Sequence, residues 1–415
     1  MEKKKNVPVL RFPEFSGDWE KKKLGEITTQ MQSGVSRKLN DSDIGLPILR
    51  SNNIQNEGLD VTDIKYWYLK DDQGVNLENY YLKENDVLVN FINSLAQIGK
   101  VALFSDLLNR DTIFTTNLLR LSFKNIVDTR FVFYNFNLKS YKDYIQSITK
   151  PAVNQASFTT KEFQNYILDL ATLPEQQKIS SVLTAVDNKL QTLKKKKTLL
   201  EQYKKGMMQK IFSQELRFKD DNGNEFPEWE MKTLGEIAEK KSIKNKSNDV
   251  KNVFTNSASV GIVNQRDYFD KDIANQNNLL NYYIVENNDF VYNPRISNLA
   301  PVGPIGRNHL DTGVMSPLYS VFKFTQGNLD FFEIFFSTTG WHEYMESIAN
   351  YGARADRMNI TSENFYLMPV PFPCLEEQTK IANFLSAIDD KINLCNAQIE
   401  KTEQWKKGLL QKMFV

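Results

Sequence analysis

Histidine and cysteine are nearly absent from this chain, with two of each among 415 residues. Cys374 and Cys395 have no Cys-x-x-Cys partner, which excludes a cysteine zinc site and fits a reducing cytoplasm. His309 and His342 are too few for a histidine metal centre and read as surface or turn residues. No run of about 18 apolar residues occurs, so nothing reads as membrane-spanning. The opening Met-Glu-Lys-Lys-Lys-Asn lacks the apolar stretch of a secretory signal, so a cytoplasmic location is expected. An excess of either charge is missing too: 52 basic and 51 acidic residues leave a net +1. That total decides nothing about a polyanionic partner, because the basic residues cluster at 21–23, 194–197 and 204–205 while the acidic ones spread.

Signatures of catalysis are missing as well. A methyltransferase needs Asn/Asp-Pro-Pro-aromatic and a Gly-rich cofactor loop; the nearest string, Asn293-Pro294-Arg295-Ile296, lacks the second proline and the aromatic. Gly303-Pro304-Ile305-Gly306 reads as a turn. No Gly-x-x-x-x-Gly-Lys-Ser/Thr phosphate loop occurs, so ATP use is not expected. Glu20-x-Lys22 and Glu230-x-Lys232, each near an upstream acid (Glu14, Glu228), are the only traces of a metal-dependent nuclease. Both fall in repeated segments, where a structural role is simpler. No catalytic residue, metal or cofactor is therefore assigned.

What the chain does have is a duplication. Residues 173–212 read LPEQQKISSVLTAVDNKLQTLKKKKTLLEQYKKGMMQKIF, and 375–414 read LEEQTKIANFLSAIDDKINLCNAQIEKTEQWKKGLLQKMF. They align without a gap at an offset of 202, as from Asp187 to Asp389 and from Gly206 to Gly408. A second repeat precedes each: Leu10-Arg11-Phe12, Trp19-Glu20 and Leu24-Gly25-Glu26-Ile27 recur as Leu216-Arg217-Phe218, Trp229-Glu230 and Leu234-Gly235-Glu236-Ile237. Trp19 and Trp229 read as anchors of the repeat. Between the flanks lie two segments that barely align with each other.

Those segments read as mixed α/β globules. Residues 86–89 and 289–292 look like strands bounded by turn residues, and 131–147 and 330–348 carry helix-spaced apolar residues. Residues 157–160 and 359–362 are equivalent exit segments, and Pro174 suits a first helical turn. In 173–212 the apolar positions Ile179, Leu183, Val186, Leu190, Leu193, Leu200, Met207 and Ile211 alternate four-three, interrupted by Lys197 and Lys204. Ile381, Leu385, Ile388, Ile392, Cys395, Ile399, Leu409 and Met413 keep the same frame. This is a coiled-coil seam, on rods of roughly 60 Å at 1.5 Å per residue, and each rod supplies the partner the other needs. The predicted fold class is α+β: two mixed globules separated by two long helices in an antiparallel coiled coil, with a pseudo-twofold internal repeat. Its parts are a lead-in segment (1–27), a globule (28–165), a central repeat with a long helix (166–213), a second lead-in (214–237), a second globule (238–367) and a final repeat with a long helix (368–415).

The paired Leu-Gly-Glu-Ile segments, the paired helix starts (Leu173-Pro174-Glu175-Gln176-Gln177-Lys178-Ile179 and Leu375-Glu376-Glu377-Gln378-Thr379-Lys380-Ile381) and the helix ends Lys-Lys-Gly-x-x-Gln-Lys-x-Phe at 204–212 and 406–414 carry a resemblance. The chain resembles the specificity subunit of type I restriction–modification systems over nearly its whole length. No single motif is specific; their order and duplication are. The resemblance implies that the repeats are conserved regions and that the globules are target recognition domains, each reading one half of a bipartite, asymmetric double-stranded DNA site. It implies that the helical pair spaces the globules and docks two methyltransferase (modification) subunits, that restriction subunits can join, and that this chain has no catalysis of its own.

The globules are rich in side chains that read base edges, Arg for guanine and Asn or Gln for adenine. In the first the candidates are Arg37, Lys38, Arg50, Asn52, Asn53, Asn90, Asn93, Ser94, Gln97 and Lys100. In the second they are Asn256, Arg266, Tyr292, Asn293, Arg295, Asn298, Arg307, Asn308, Arg354 and Arg357, with His309 beside them. Lys38, Lys100 and Arg266 suit phosphates better than bases. Windows 90–100 and 292–309 follow equivalent Asn-Asp strand starts, which suggests one loop used twice. Against this, Asn and Ser clusters commonly form turns, and the 194–197 lysines read as a solvated helix face that could also meet DNA or an acidic partner. A coiled-coil scaffold that binds proteins, without DNA specificity, is the alternative.

Overall fold

The computed structural model describes residues 6–55, 58–153, 155–268, 276–350 and 356–415. Two compact units emerge: Met1–Lys194 together with Ala397–Val415, and Lys195–Asn396. Each unit thus combines one globule with the first half of its own long helix and the second half of the other.

The repeated lead-in is the frame of each unit. Glu20–Lys23 pairs antiparallel with Ile167–Leu170, and Glu230–Thr233 with Pro369–Phe372. Each strand runs straight into a single helical turn, Leu24–Ile27 or Leu234–Ile237. The Leu and Ile three apart share a face and are fully buried. The Glu carboxylate folds back on the preceding backbone N–H, at 2.6 Å from Lys23 N and from Thr233 N. The Glu-x-Lys strings are ion pairs between residues two apart on one face of these strands: Glu20 lies 2.9 Å from Lys22, and Glu230 3.7 Å from Lys232.

Although the globules barely align in sequence, their main sheets share one strand order. In the first unit it runs Thr28–Ser33, Leu118–Phe123, Val87–Asn90, Val101–Leu103. In the second it runs Ala238–Lys241, Ser320–Phe324, Phe290–Tyr292, Ile305–Arg307. All six pairings are antiparallel. The strands expected at 86–89 and 289–292 begin one residue later, because Asp86 and Asp289 belong to the preceding turn.

The helices expected at 131–147 and 330–348 each split in two: Thr129–Asn135 and Lys139–Ile148, then Leu329–Phe336 and His342–Ile348. Side chains end the first member of each pair by taking its last carbonyls. Asn137 Nδ2 donates to Phe133 O at 2.8 Å; Ser337 and Thr338 hydroxyls donate to Ile334 and Phe335 O at 2.6 and 2.7 Å. The second core is strongly aromatic, with the Phe324 and Phe332 rings stacked at 4.0 Å.

The long helices span Leu173–Phe212 and Leu375–Met413. Their seam is uneven. Ile179, Leu183, Val186, Leu190 and Ile211 are buried, as are Ile381, Leu385, Ile388, Cys395, Leu409 and Met413. Leu193, Leu200 and Met207 are only half-buried. Ion pairs join the helices in the same register: Lys406 Nζ sits 2.6 Å from Asp187, Lys204 Nζ 2.6 Å from Asp389, and Lys194 3.1 Å from Glu403. Asp187 aligns with Asp389 and Lys204 with Lys406, so the two short pairs are reciprocal and the helices antiparallel. The apparent interruption of the seam at Lys204 is one of these pairs.

Candidate nucleic-acid interface

A tight turn launches the central strand of each sheet. Asn85 and Asn288 occupy the left-handed region at φ 68° and 71°, which asparagine tolerates better than most residues. An arginine holds each turn by donating to the Asn side-chain oxygen, Arg130 at 2.9 Å and Arg307 at 2.9 and 2.5 Å. Burial pushes the carboxyls of the neighbouring Asp86 and Asp289 up, and Lys241, 2.8 Å from Asp289, offsets part of the effect in the second unit.

From this strand the chain leaves as a loop, 91–100 in the first unit and 293–304 in the second. Glycine closes each: Gly99 at φ 77° and Gly303 at φ 80°, where an added Cβ would lie 2.5 Å from Ile145 and 2.1 Å from the Asn293 carbonyl. A strap near the end of the globule then pairs with the start of the loop. In the first unit Ile92–Asn93 meets Ala156–Ser157, which in turn meets Lys150–Pro151. In the second, Arg295 faces Arg357 and Asn350 faces Asn359. The single loop expected to be used twice is therefore a loop-and-strap device built twice.

The structure sorts the candidate residues. Asn53, Asn90, Asn256, Tyr292, Asn293 and Asn308 are buried and bond the scaffold. Asn90 Nδ2 donates to Ser51 O, Asn256 Nδ2 to Val291 O, Asn293 Nδ2 to Asn256 O, Asn308 Nδ2 to Glu286 O and Tyr292 Oη to Val302 O. Asn53 receives the Arg50 N–H and donates to Asp60 O. These six side chains face inward and hold backbone of the scaffold, a role that asparagine in a turn commonly takes.

Three arginines are committed within the fold. Arg37 grips Asp71 through Nε and Nη2 at 2.5 and 2.8 Å and holds its carboxyl well below the usual range. Arg50 pairs with Asp63 at 2.6 Å, and Arg307 with Asp330 at 2.5 Å. Lys38, Asn52, Ser94, Arg266, Arg295 and Asn298 are exposed, while Asn93, Gln97, Lys100 and Arg357 are half-exposed. Arg354 lies outside the described residues. His309 is exposed and touches Glu333 at 2.7 Å.

The strap of the first unit was missed. Ser157 stands where Arg357 stands in the second, Lys150 lies opposite it on the strap, and Lys150 is tied to Glu162 at 2.7 Å. The signal was present in the equivalent exit segments 157–160 and 359–362, which frame the strap at its far end. Among the described residues no group of three His, Cys, Asp or Glu side chains converges on a common metal position.

Comparison with known proteins agrees with this geometry. The chain is 28% identical to a putative type I restriction enzyme MjaX specificity subunit of Methanocaldococcus jannaschii, covering 98% of this chain and 95% of that one. It is 24% identical to the MjaVIII specificity subunit of the same organism, covering 98% and 93%. The fold matches the crystal structure of the type I restriction–modification S subunit from M. genitalium over 99% of both chains, with a TM-score of 0.59 at 14% identity. A second solved chain, from work on assembly and conformational transition of the type I system, matches 95% of this chain and 97% of its own at a TM-score of 0.52 and 14% identity. The profile of the type I restriction modification DNA specificity domain matches twice, at residues 16–202 and 227–404, and the chain belongs to that family.

Proposed function

We propose that this chain is the non-catalytic specificity subunit of a type I restriction–modification complex. It works in the cytoplasm and binds double-stranded DNA. Residues 28–165 and 238–367 act as its two target recognition domains, each reading one half of a split, asymmetric site. The observation that carries this reading is the loop-and-strap device, built on the same strand order in both units yet lined by different side chains. One scaffold with two sets of side chains suits two unlike half-sites.

Two modification subunits dock on the long helices, and restriction subunits can join them. Exposed Leu199, Tyr203, Leu394 and Trp405, each more than half accessible on the helices, support a protein-binding role for these rods. The test is methylation mapping in cells carrying this chain with its modification subunit. Adenine methylation at one split sequence, lost on deletion of this chain, is the expected result. Soluble, associated subunits without sequence-dependent methylation would leave the protein-binding scaffold as the better reading. Salt separates the two in vitro: DNA binding weakens steeply with ionic strength through counterion release, whereas an apolar protein interface does not.

A further inference from the structure

The two units offer an internal comparison at one backbone position. Asn90 aligns with Asn293 at the end of the central strand, so Ile92 aligns with Arg295. On the strap, Phe158 N donates to Phe91 O at 3.3 Å and Met358 N to Pro294 O at 3.0 Å, so Ser157 aligns with Arg357. The cross-strand pair Ile92–Ser157 of the first unit thus becomes Arg295–Arg357 in the second.

Two arginines directly opposite each other on an antiparallel bridge repel and cost stability. Little in the fold relieves this pair. Arg295 is exposed, and its side chain has no hydrogen bond or ion pair among the described residues. Arg357 is 24% exposed, and among the described residues its buried Nε has no hydrogen-bond partner and only a long ion pair, 3.7 Å to Asp356. By contrast Arg37, Arg50 and Arg307 each close on a carboxylate inside the fold. A pair of planar donors so weakly partnered, one with its stem packed into the strap, matches a ligand that presents two adjacent acceptors in a fixed plane. In duplex DNA that is the O6/N7 edge of guanine in the major groove.

We propose that Arg295 and Arg357 form a guanine-reading fork, and that this cross-strand pair is a position at which the two recognition domains differ in specificity. The inference rests on the DNA-reading function proposed above and assigns part of its chemistry. The second domain requires guanine in its half-site. The first, with Ile92 and Ser157, makes no such demand at the equivalent place.

The test uses the full chain with its modification subunits and a random-sequence duplex library, sequencing what is retained. Three forms are compared: wild type, Arg295→Ile with Arg357→Ser, and Arg295→Lys with Arg357→Lys. The first double variant installs the pair that the other unit already carries, and with the like-charge repulsion removed its thermal unfolding should come at or above the wild-type temperature. Wild type should select a split site with fixed guanine in one half. The Ile/Ser variant should lose that preference by roughly tenfold to a hundredfold, the discrimination carried by one bidentate contact, with the other half unchanged. The Lys variant should still bind but favour guanine no longer, because an ammonium keeps the charge and loses the fork. Guanine retained in both variants, or lost from both half-sites, would overturn the fork. A uniform fall in affinity for all sequences in the Ile/Ser variant, with a shallower salt slope and no loss in the Lys variant, would assign the pair to phosphates instead. A wild-type chain that selects no sequence would remove the proposed function itself, and the fork with it.

Discussion

Glu175 and Glu377, the acids of the repeated Leu-x-Glu-Gln-x-Lys-Ile helix starts, are 1% and 0% exposed and receive the arginines of the repeated Leu-Arg-Phe. Arg11 meets Glu175 through two bonds of 2.8 Å; Arg217 meets Glu377 through bonds of 3.3 and 2.9 Å, and Trp229 Nε1 adds a third donor at 2.9 Å. The next residue, Gln176 or Gln378, is fully buried and ties the helix start to the globule: its amide takes the Ala171 or Pro373 carbonyl, and its oxygen receives the Asp128 or Asn328 N–H. Removing one member of a buried pair leaves the other charge uncompensated, a loss of about 3–5 kcal/mol. Glu377→Ala should therefore lower the denaturant midpoint strongly. It should cost about 1 kcal/mol more than Glu175→Ala, because Trp229 loses its acceptor while Trp19 Nε1 has none among the described residues. Equal losses in urea titration would contradict this.

A second effect at this scale depends on pH. Lys150 and the Thr159 cap hold the Glu162 carboxyl down to about 2, from 4.5. A lowered folded pKa means the ionised form supports the strap above pH 4.5, and that support fades as pH falls toward 2. The advantage of wild type over Glu162→Gln in hydrogen-exchange protection of the strap, present at pH 6, should shrink below pH 4.5. Protection that is flat across this range would count against the Lys150–Glu162 tie.

At the scale of elements, much was legible in the sequence. A gapless repeat with a four-three apolar spacing placed both long helices to within a residue, since that period has only one regular solution. The split helices were not legible, because Asn137 and the Ser337-Thr338 pair act through hydroxyl and amide bonds that leave the apolar spacing intact. Nor were the buried asparagines: composition cannot tell an Asn aimed at a base from one that completes a turn, and only burial separates Asn52 from Asn53. The strap was invisible because pairings such as Ser157 with Ile92 link residues far apart in the chain. The reciprocal ion pairs give the helical element its own test. Lys204→Asp faces Asp389 with a like charge and should lower stability, whereas adding Asp389→Lys should restore it. Each effect should be about 1 kcal/mol or less for side chains this exposed. Failure of the second change to recover any stability in thermal unfolding would show that the pair does not set register.

For the whole molecule, the repeat separates what is shared from what differs. The lead-ins, helix starts and reciprocal pairs are common to both halves, while the residues on loop and strap are not. Exchanging 28–165 for the corresponding domain of a relative should change one half of the methylated sequence and leave the other intact. A change in both halves, read by methylation mapping, would refute independent reading.

The first unit is also discontinuous: Leu409, Met413 and Phe414 belong to its core, with the Phe414 ring 5.0 Å from Phe131 and 6.3 Å from Trp19. On the ribosome those three residues emerge only after the entire second unit has been made. The earlier-made unit must therefore wait with an open apolar socket, and it is the later one to be sealed. A nick or premature stop near residue 397 injures the domain most distant from it along the chain, so nascent copies of this protein carry their aggregation risk at the front.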